Sequence, residues 1–153
     1  MIRVVLGAVL TACSMGVVQA ESADSLCNAD SRCQAVRSFF SRYKSPLENL
    51  AIVFVRTADE HRLDWRLLPA ISMVETSGGK HATLNNVFGW NSGRTRFASA
   101  EAGILFVASR FAHSSIYAGR TALGILDRYN PARQAYPPKV TRFMKELSSE
   151  RVK

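Results

Sequence analysis

The sequence predicts an all-α protein, with a small turn-rich flap between its second and third helices. Three observations lead there. Apolar residues recur at helical spacing in successive stretches after Ser45, helix-capping residues and Gly or Pro punctuation bound those stretches, and no convincing run of period-two alternation occurs. An apolar fraction of 47% with 21% charged residues excludes a disordered or collagen-like chain, and 153 residues suit one hydrophobic core.

The first element is a targeting segment rather than part of the fold. Met1-Ile2-Arg3 gives a positive start, residues 4–18 carry no charge, and Val18-Gln19-Ala20 ends in the small residues a signal peptidase accepts. Residues 1–20 are therefore expected to be a signal peptide, with a mature chain from Glu21 that is periplasmic or secreted. As a membrane span the segment falls short of the ~20 apolar residues required. The alternative is a lipobox at Leu10-Thr11-Ala12-Cys13, which makes the protein a lipoprotein anchored through Cys13.

The whole chain carries a formal charge of +8, and loss of Arg3 with the leader leaves the mature part at +7. Such a balance points to an anionic partner, and export argues against nucleic acid. Cys27 and Cys33 remain after cleavage, an even count that in an exported chain predicts a disulfide closing a small loop. A metal site there needs two more ligands, and none has suitable spacing.

Residues 21–44 form an N-terminal segment, of which 21–34 are polar and expected to be loosely attached; residues 45–150 form the main domain. Ser45-Pro46-Leu47-Glu48 is a helix start with an N-cap, a proline at the first position and a capping-box acid. Leu47, Leu50, Ala51, Phe54, Val55 and Ala58 then predict a buried central helix to about His61. Asp64 caps a second helix running to Ser77, where Gly78-Gly79 stops it; Pro69 in its second turn is expected to bend it. Residues 80–96 have turn chemistry. Ser99 caps a third helix with Ala100, Ile104, Val107, Ala108 and Phe111 inward. A short helix covers residues 122–128, and Pro137-Pro138 opens a last one with Val140, Phe143, Met144 and Leu147 inward.

Glu75 stands out. Leu68, Ile71 and Glu75 fall at i, i+3 and i+7, so a carboxylate in the last turn shares the core-facing stripe. Desolvation and the negative end of the helix dipole are both expected to raise its pKa. An acid kept protonated near neutral pH suits protonation of a leaving oxygen in glycoside cleavage. The bland alternative is a solvated helix-end residue.

The run Leu63-Asp64-Trp65-Arg66-Leu67-Leu68-Pro69-Ala70-Ile71, the segment from Val74-Glu75 to Lys80, and the loop Asn86-Val87-Phe88-Gly89-Trp90 together resemble the lysozyme-like family of lytic transglycosylases, in particular its small exported bacterial members. The likeness continues through residues 97–104, Tyr129-Asn130-Pro131 and the last helix, spanning residues 45–147. Thr76 departs from it, since many relatives carry Ser there.

The resemblance implies a lysozyme-like fold and cleavage of the β-1,4 bond between N-acetylmuramic acid and N-acetylglucosamine in peptidoglycan glycan strands. It makes Glu75 first the acid and then the base, with a 1,6-anhydro product and no second carboxylate. A muramidase using Asp127, or a non-catalytic peptidoglycan-binding or envelope-assembly protein on the same fold, are the alternatives. Glu101 and Asp127 otherwise read as a first-turn helix acid and a helix-end surface residue.

The resemblance further implies a cleft wall of Asn86, Phe88 and Trp90. The Asn86 amide bonds sugar groups and Trp90 stacks on a sugar face, while Phe88 reads equally as a core aromatic. Tyr129 is implied to orient Glu75 through its hydroxyl, and Ser77 either bonds substrate or caps its helix. Lys80, His81, Arg94 and Arg96 bracket the expected cleft, where peptide carboxylates of the polymer meet them. His61, His81 and His113 lack metal-ligand spacing, and neither a phosphate loop nor a dinucleotide fingerprint occurs, so no metal and no cofactor are expected. The sequence names no protein partner.

Overall fold

The structure, a computed structural model, describes residues 22–132 and 134–150, so the signal-peptide and lipobox expectations for residues 1–20 lie outside the described residues. Among the described residues the secondary structure is entirely helical. The α-helices are α1 (Ala23–Ala29), α2 (Ser31–Arg42), α3 (Ala51–Glu60), α4 (Leu67–Thr76), α5 (Ala100–His113), α6 (Ala122–Tyr129) and α7 (Tyr136–Ser149), with one 3-10 turn at Glu48–Leu50. No helix among the described residues is long and apolar enough to cross a membrane. The 23 residues between α4 and α5 hold only turns and bends, which is the expected flap.

The N-terminal segment corrects the expectation of loose attachment. Asp30 ends α1 and caps α2, its Oδ1 accepting from the Arg32 N–H at 2.8 Å. Cys27 and Cys33 form a disulfide with Cα atoms 5.1 Å apart, and both are 0% exposed. Behind them Val36, Phe39 and Phe40 of α2 join the main core against α3 and α7. Polar composition over residues 21–34 hid this, because the segment is anchored by a few apolar side chains and one covalent bond.

The start at Ser45 is also corrected. Its hydroxyl donates to the Gly78 carbonyl at 2.6 Å and accepts from the Leu47 N–H at 3.1 Å, so it ties two distant turns together. The chain then takes a 3-10 turn and reaches α-helix only at Ala51. Arg56, Asp59 and Glu60 give α3 a solvent face, and α4 is the more completely buried helix. Every residue of α4 from Leu67 to Met73 is buried, and α4 packs most extensively along α7. Asp64 bonds the Arg66 N–H and guanidinium rather than capping the helix directly, so α4 begins at Leu67. Pro69 is therefore its third residue, in a turn where the missing N–H costs nothing. Ser99 caps α5 as expected, accepting from Ala102 N at 3.0 Å, and Thr121 caps α6, accepting from Gly124 N at 3.2 Å.

Asp30 supplies a pH test of the N-terminal packing. The Arg32 guanidinium holds its carboxyl below the usual carboxylate range. The stabilisation is present above the unfolded pKa of 3.8 and is lost as pH falls through the lowered folded value. Arg32 is 38% exposed, so solvent screening keeps the effect modest. The expected result is a lower urea midpoint at about pH 3 than at about pH 6, with a smaller difference in Asp30→Asn, whose amide can still cap α2. An unchanged difference in that variant would assign the pH dependence elsewhere.

Candidate functional site

Helix α4 delivers Glu75. Leu68 and Ile71 are 0% exposed on the face that Glu75 continues, and Glu75 emerges half-buried in the last turn. The chain then reverses through three successive left-handed residues, Ser77 (φ 54°), Gly78 (φ 66°) and Gly79 (φ 85°). Ser77 rather than glycine is thus the C-cap, at a cost of about 1 kcal/mol for an L-residue in that region. Gly78 has no substitute: a Cβ there lies 2.7 Å from Met73 Sδ and 2.9 Å from Ser45 Oγ.

Thr76 clamps the flap to the helix. Its hydroxyl lies 2.8 Å from the Val87 carbonyl and 3.2 Å from that of Ser72, and accepts from the Gly79 N–H at 3.0 Å. One hydroxyl hydrogen cannot serve both carbonyls fully, so the shorter contact to Val87 is the main bond. Within the flap, Asn86 donates to the carbonyls of Trp90 at 2.9 Å and Thr95 at 3.1 Å, and accepts from the Trp90 N–H at 2.8 Å. Asn85 closes the base by donating to the carbonyls of Phe97 and Ala98.

These bonds hold the flap side of a cleft of ≈ 540 Å³, lined by Glu75, Gly89, Trp90, Asn91, Ser92, Tyr117, Tyr129 and Asn130. Glu75 is the one acid among them. Gly89 faces it so closely that a Cβ would stand 3.1 Å from Glu75 Oε2. Trp90 sits half-exposed among aromatic rings, with centroids 5.6 Å from Phe106 and 6.0 Å from Tyr129.

Two phenols lie near the carboxylate, Tyr129 half-buried and Tyr136 buried. Burial raises the Tyr129 pKa well above the usual phenol range, and the Glu75 charge adds to it. Its hydroxyl donates to the Phe88 carbonyl at 2.5 Å. For Tyr136 burial is again the largest cause, followed by the Glu75 charge and a hydrogen bond with Glu75. Tyr129 and Tyr136 stack at 5.9 Å. Both hydroxyls stay protonated, and therefore neutral, through the physiological range.

Of the residues expected in the site, the structure brings Glu75, Trp90 and Tyr129 into the cleft. The others lie outside its lining. Asn86 is 2% exposed and its amide is committed to the flap, so it shapes the wall from behind. The Phe88 ring is fully buried against Phe54, and only its carbonyl serves the site, through Tyr129. Ser77 caps α4 and meets His81 Nδ1 at 3.2 Å. Tyr129 spends its hydroxyl on the flap, and Tyr136 takes the place beside Glu75 that was expected of it. Lys80 donates to the Tyr43 carbonyl, while His81, Arg94 and Arg96 are exposed and none of the four lines the cleft. Glu101 and Asp127 are exposed on α5 and α6, away from it.

Sequence reasoning missed Tyr117, Tyr136, Asn91, Ser92 and Asn130. Asn91-Ser92-Gly93 had been readable only as a turn; all three are left-handed, which aims the first two at the cleft. No protein-family model matches the chain, and no curated protein matches it.

Proposed function

We propose that the chain is an exported peptidoglycan-cleaving enzyme, a lytic transglycosylase of lysozyme-like fold. The observation that carries this reading is the lone carboxylate of the cleft, Glu75, held at the end of a buried helix with no second acid among the lining residues. A retaining or inverting hydrolase needs a paired carboxylate to activate water or form a covalent sugar. A transglycosylase needs one. The protonated Glu75 gives its proton to the glycosidic oxygen as the C1–O bond breaks. The resulting carboxylate takes the proton of the muramic acid C6 hydroxyl, whose oxygen closes onto C1. Glu75 ends protonated, and no water is consumed.

The surroundings support the same chemistry. Tyr129 and Tyr136 present neutral hydroxyls, so neither competes with Glu75 for the proton. Trp90, Tyr117, Asn91 and Asn130 offer the mixture of aromatic faces and amides that sugars bind. Arg94, Arg96, Arg120 and Arg128 are exposed and enter no ion pair among the described residues, whereas Asp24, Asp30, Asp59, Asp64, Glu146 and Glu150 are all paired with arginines. The unpaired cations suit a polymer bearing carboxylates. The test is release of soluble fragments from isolated sacculi by purified residues 21–153. Binding without release would favour the non-catalytic reading.

Gly89 gives a sharper geometric check. In Gly89→Ala the new methyl presses on Glu75 Oε2, and Gly93→Ala provides the control, since Gly93 shares a positive φ (+77°) with nothing within 4 Å. Both variants are expected to lose about 1 kcal/mol of stability. Only Gly89→Ala is expected to lose cleavage, by about tenfold or more, because small misplacement of a catalytic group is costly. Equal activity in the two would mean that Gly89 serves the backbone turn alone.

A further inference from the structure

Two histidines meet where α3 and α5 end. His61 is the C-cap of α3, His113 is the last residue of α5, and the two helices pack on one another. Their rings stand edge to face, with centres 5.3 Å apart and planes at 78°. His61 is half-buried and His113 exposed, so solvent reaches the pair. Spacing along the chain does not announce it, because only the packing of α3 on α5 creates it. Neither histidine lines the Glu75 cleft.

We propose that His61 and His113 together bind one Zn²⁺ ion. Each neutral imidazole has one nitrogen free of a proton to give to a metal. With Zn–N bonds of about 2.0–2.1 Å and a ring nitrogen about 1.1 Å from its ring centre, two imidazoles on one tetrahedral ion have centres about 5 Å apart. The observed 5.3 Å meets that separation. A square-planar ion with adjacent imidazoles draws the centres to about 4.5 Å, so the spacing favours zinc. The surroundings favour a cation as well. The negative ends of two helix dipoles meet at the pair, and the last turn of α3 holds no basic residue, although Arg110 stands in that of α5. Among the described residues no group of three His, Cys, Asp or Glu could hold a metal, so water fills the remaining positions. Bound there, the ion ties the end of α3 to the end of α5.

The probe is zinc chloride, titrated by calorimetry into metal-free residues 21–153 carrying no affinity tag. The disulfide keeps both cysteines of that chain from competing for the ion. The expected result is one ion per chain, with Tm raised by several degrees at saturating zinc, because the ion binds the folded state best. In the intact protein the ring-proton signals of His61 and His113 are expected to shift together, and those of His81 to stay in place. His61→Gln and His113→Gln are each expected to weaken binding by about tenfold or more, since one imidazole alone remains. His81→Gln is the control and should bind as the wild type does. No binding at millimolar zinc, wild-type affinity in His61→Gln or His113→Gln, an equal loss in His81→Gln, or undiminished binding by the urea-unfolded chain would each overturn the proposal. Should either Gln variant fail to fold, the ring-proton shifts of the intact protein decide the matter.

Discussion

Glu75→Gln is expected to abolish glycan cleavage, lowering the rate by about a hundredfold or more, while fold and sacculus binding persist. The amide has nearly the shape of the carboxyl, and Gly89, Tyr129 and Tyr136 can pack against it as before. It cannot give a proton to the glycosidic oxygen or take one from the C6 hydroxyl, so both halves of the reaction fail together. A carboxylate held beside these phenols and a half-buried cleft trades stability for function, so the melting temperature is expected to be equal or slightly higher. Activity, binding and melting belong on one preparation. Undiminished cleavage by a folded Gln variant would move the acid to another residue, and neither Glu101 nor Asp127 lines the cleft.

Replacing Cys27 and Cys33 by Ser is expected to cost about 2–4 kcal/mol, or roughly 10 °C in Tm. The loop they close is short, which by loop entropy alone places the effect near the low end. Their burial raises it. Both sulfurs lie in the core with Val36, Phe39 and Phe40, and a pair of hydroxyls cannot occupy that place without desolvation cost. The loss should therefore reach α2 and its contacts with α3 and α7, rather than staying within α1. A Tm change under about 2 °C would return the N-terminal helices to a peripheral role.

Much of the helical frame was legible because local signals and tertiary demand agree there. Ser99 caps the helix it was expected to cap, and Val140, Phe143, Met144 and Leu147 turn inward as their spacing requires. Ser45 misled because its hydroxyl answers to Gly78, 33 residues away, and no local pattern reports such a partner. In α2 the spacing of Cys33, Val36 and Phe40 was visible in the sequence and went unread; in α1 only Cys27 is buried, so nothing periodic existed to read.

The site divides the same way. The placement of Glu75 at the end of a buried face was legible because a carboxylate on an apolar stripe contradicts its neighbours, and that contradiction is local. Asn86 was placed in the flap, but its bonds to backbone carbonyls were not legible, since an amide facing backbone carbonyls and one facing a sugar look alike in sequence. Tyr136 sits in the first turn of α7, and only the packing of α7 along α4 brings it to Glu75. Thr76 seemed a departure from a serine pattern; its hydroxyl makes the flap bonds a serine could make, and its burial gives the added methyl a place.

One measurement tests the central claim most directly: the mass of the glycan ends released from sacculi by residues 21–153. Intramolecular closure onto C6 consumes no water, so the account predicts muramic acid ends in the anhydro form, lighter by one water than reducing ends. Reducing ends alone would contradict it, and would require a second group at the cleft to deliver water where Glu75 is the one lining acid.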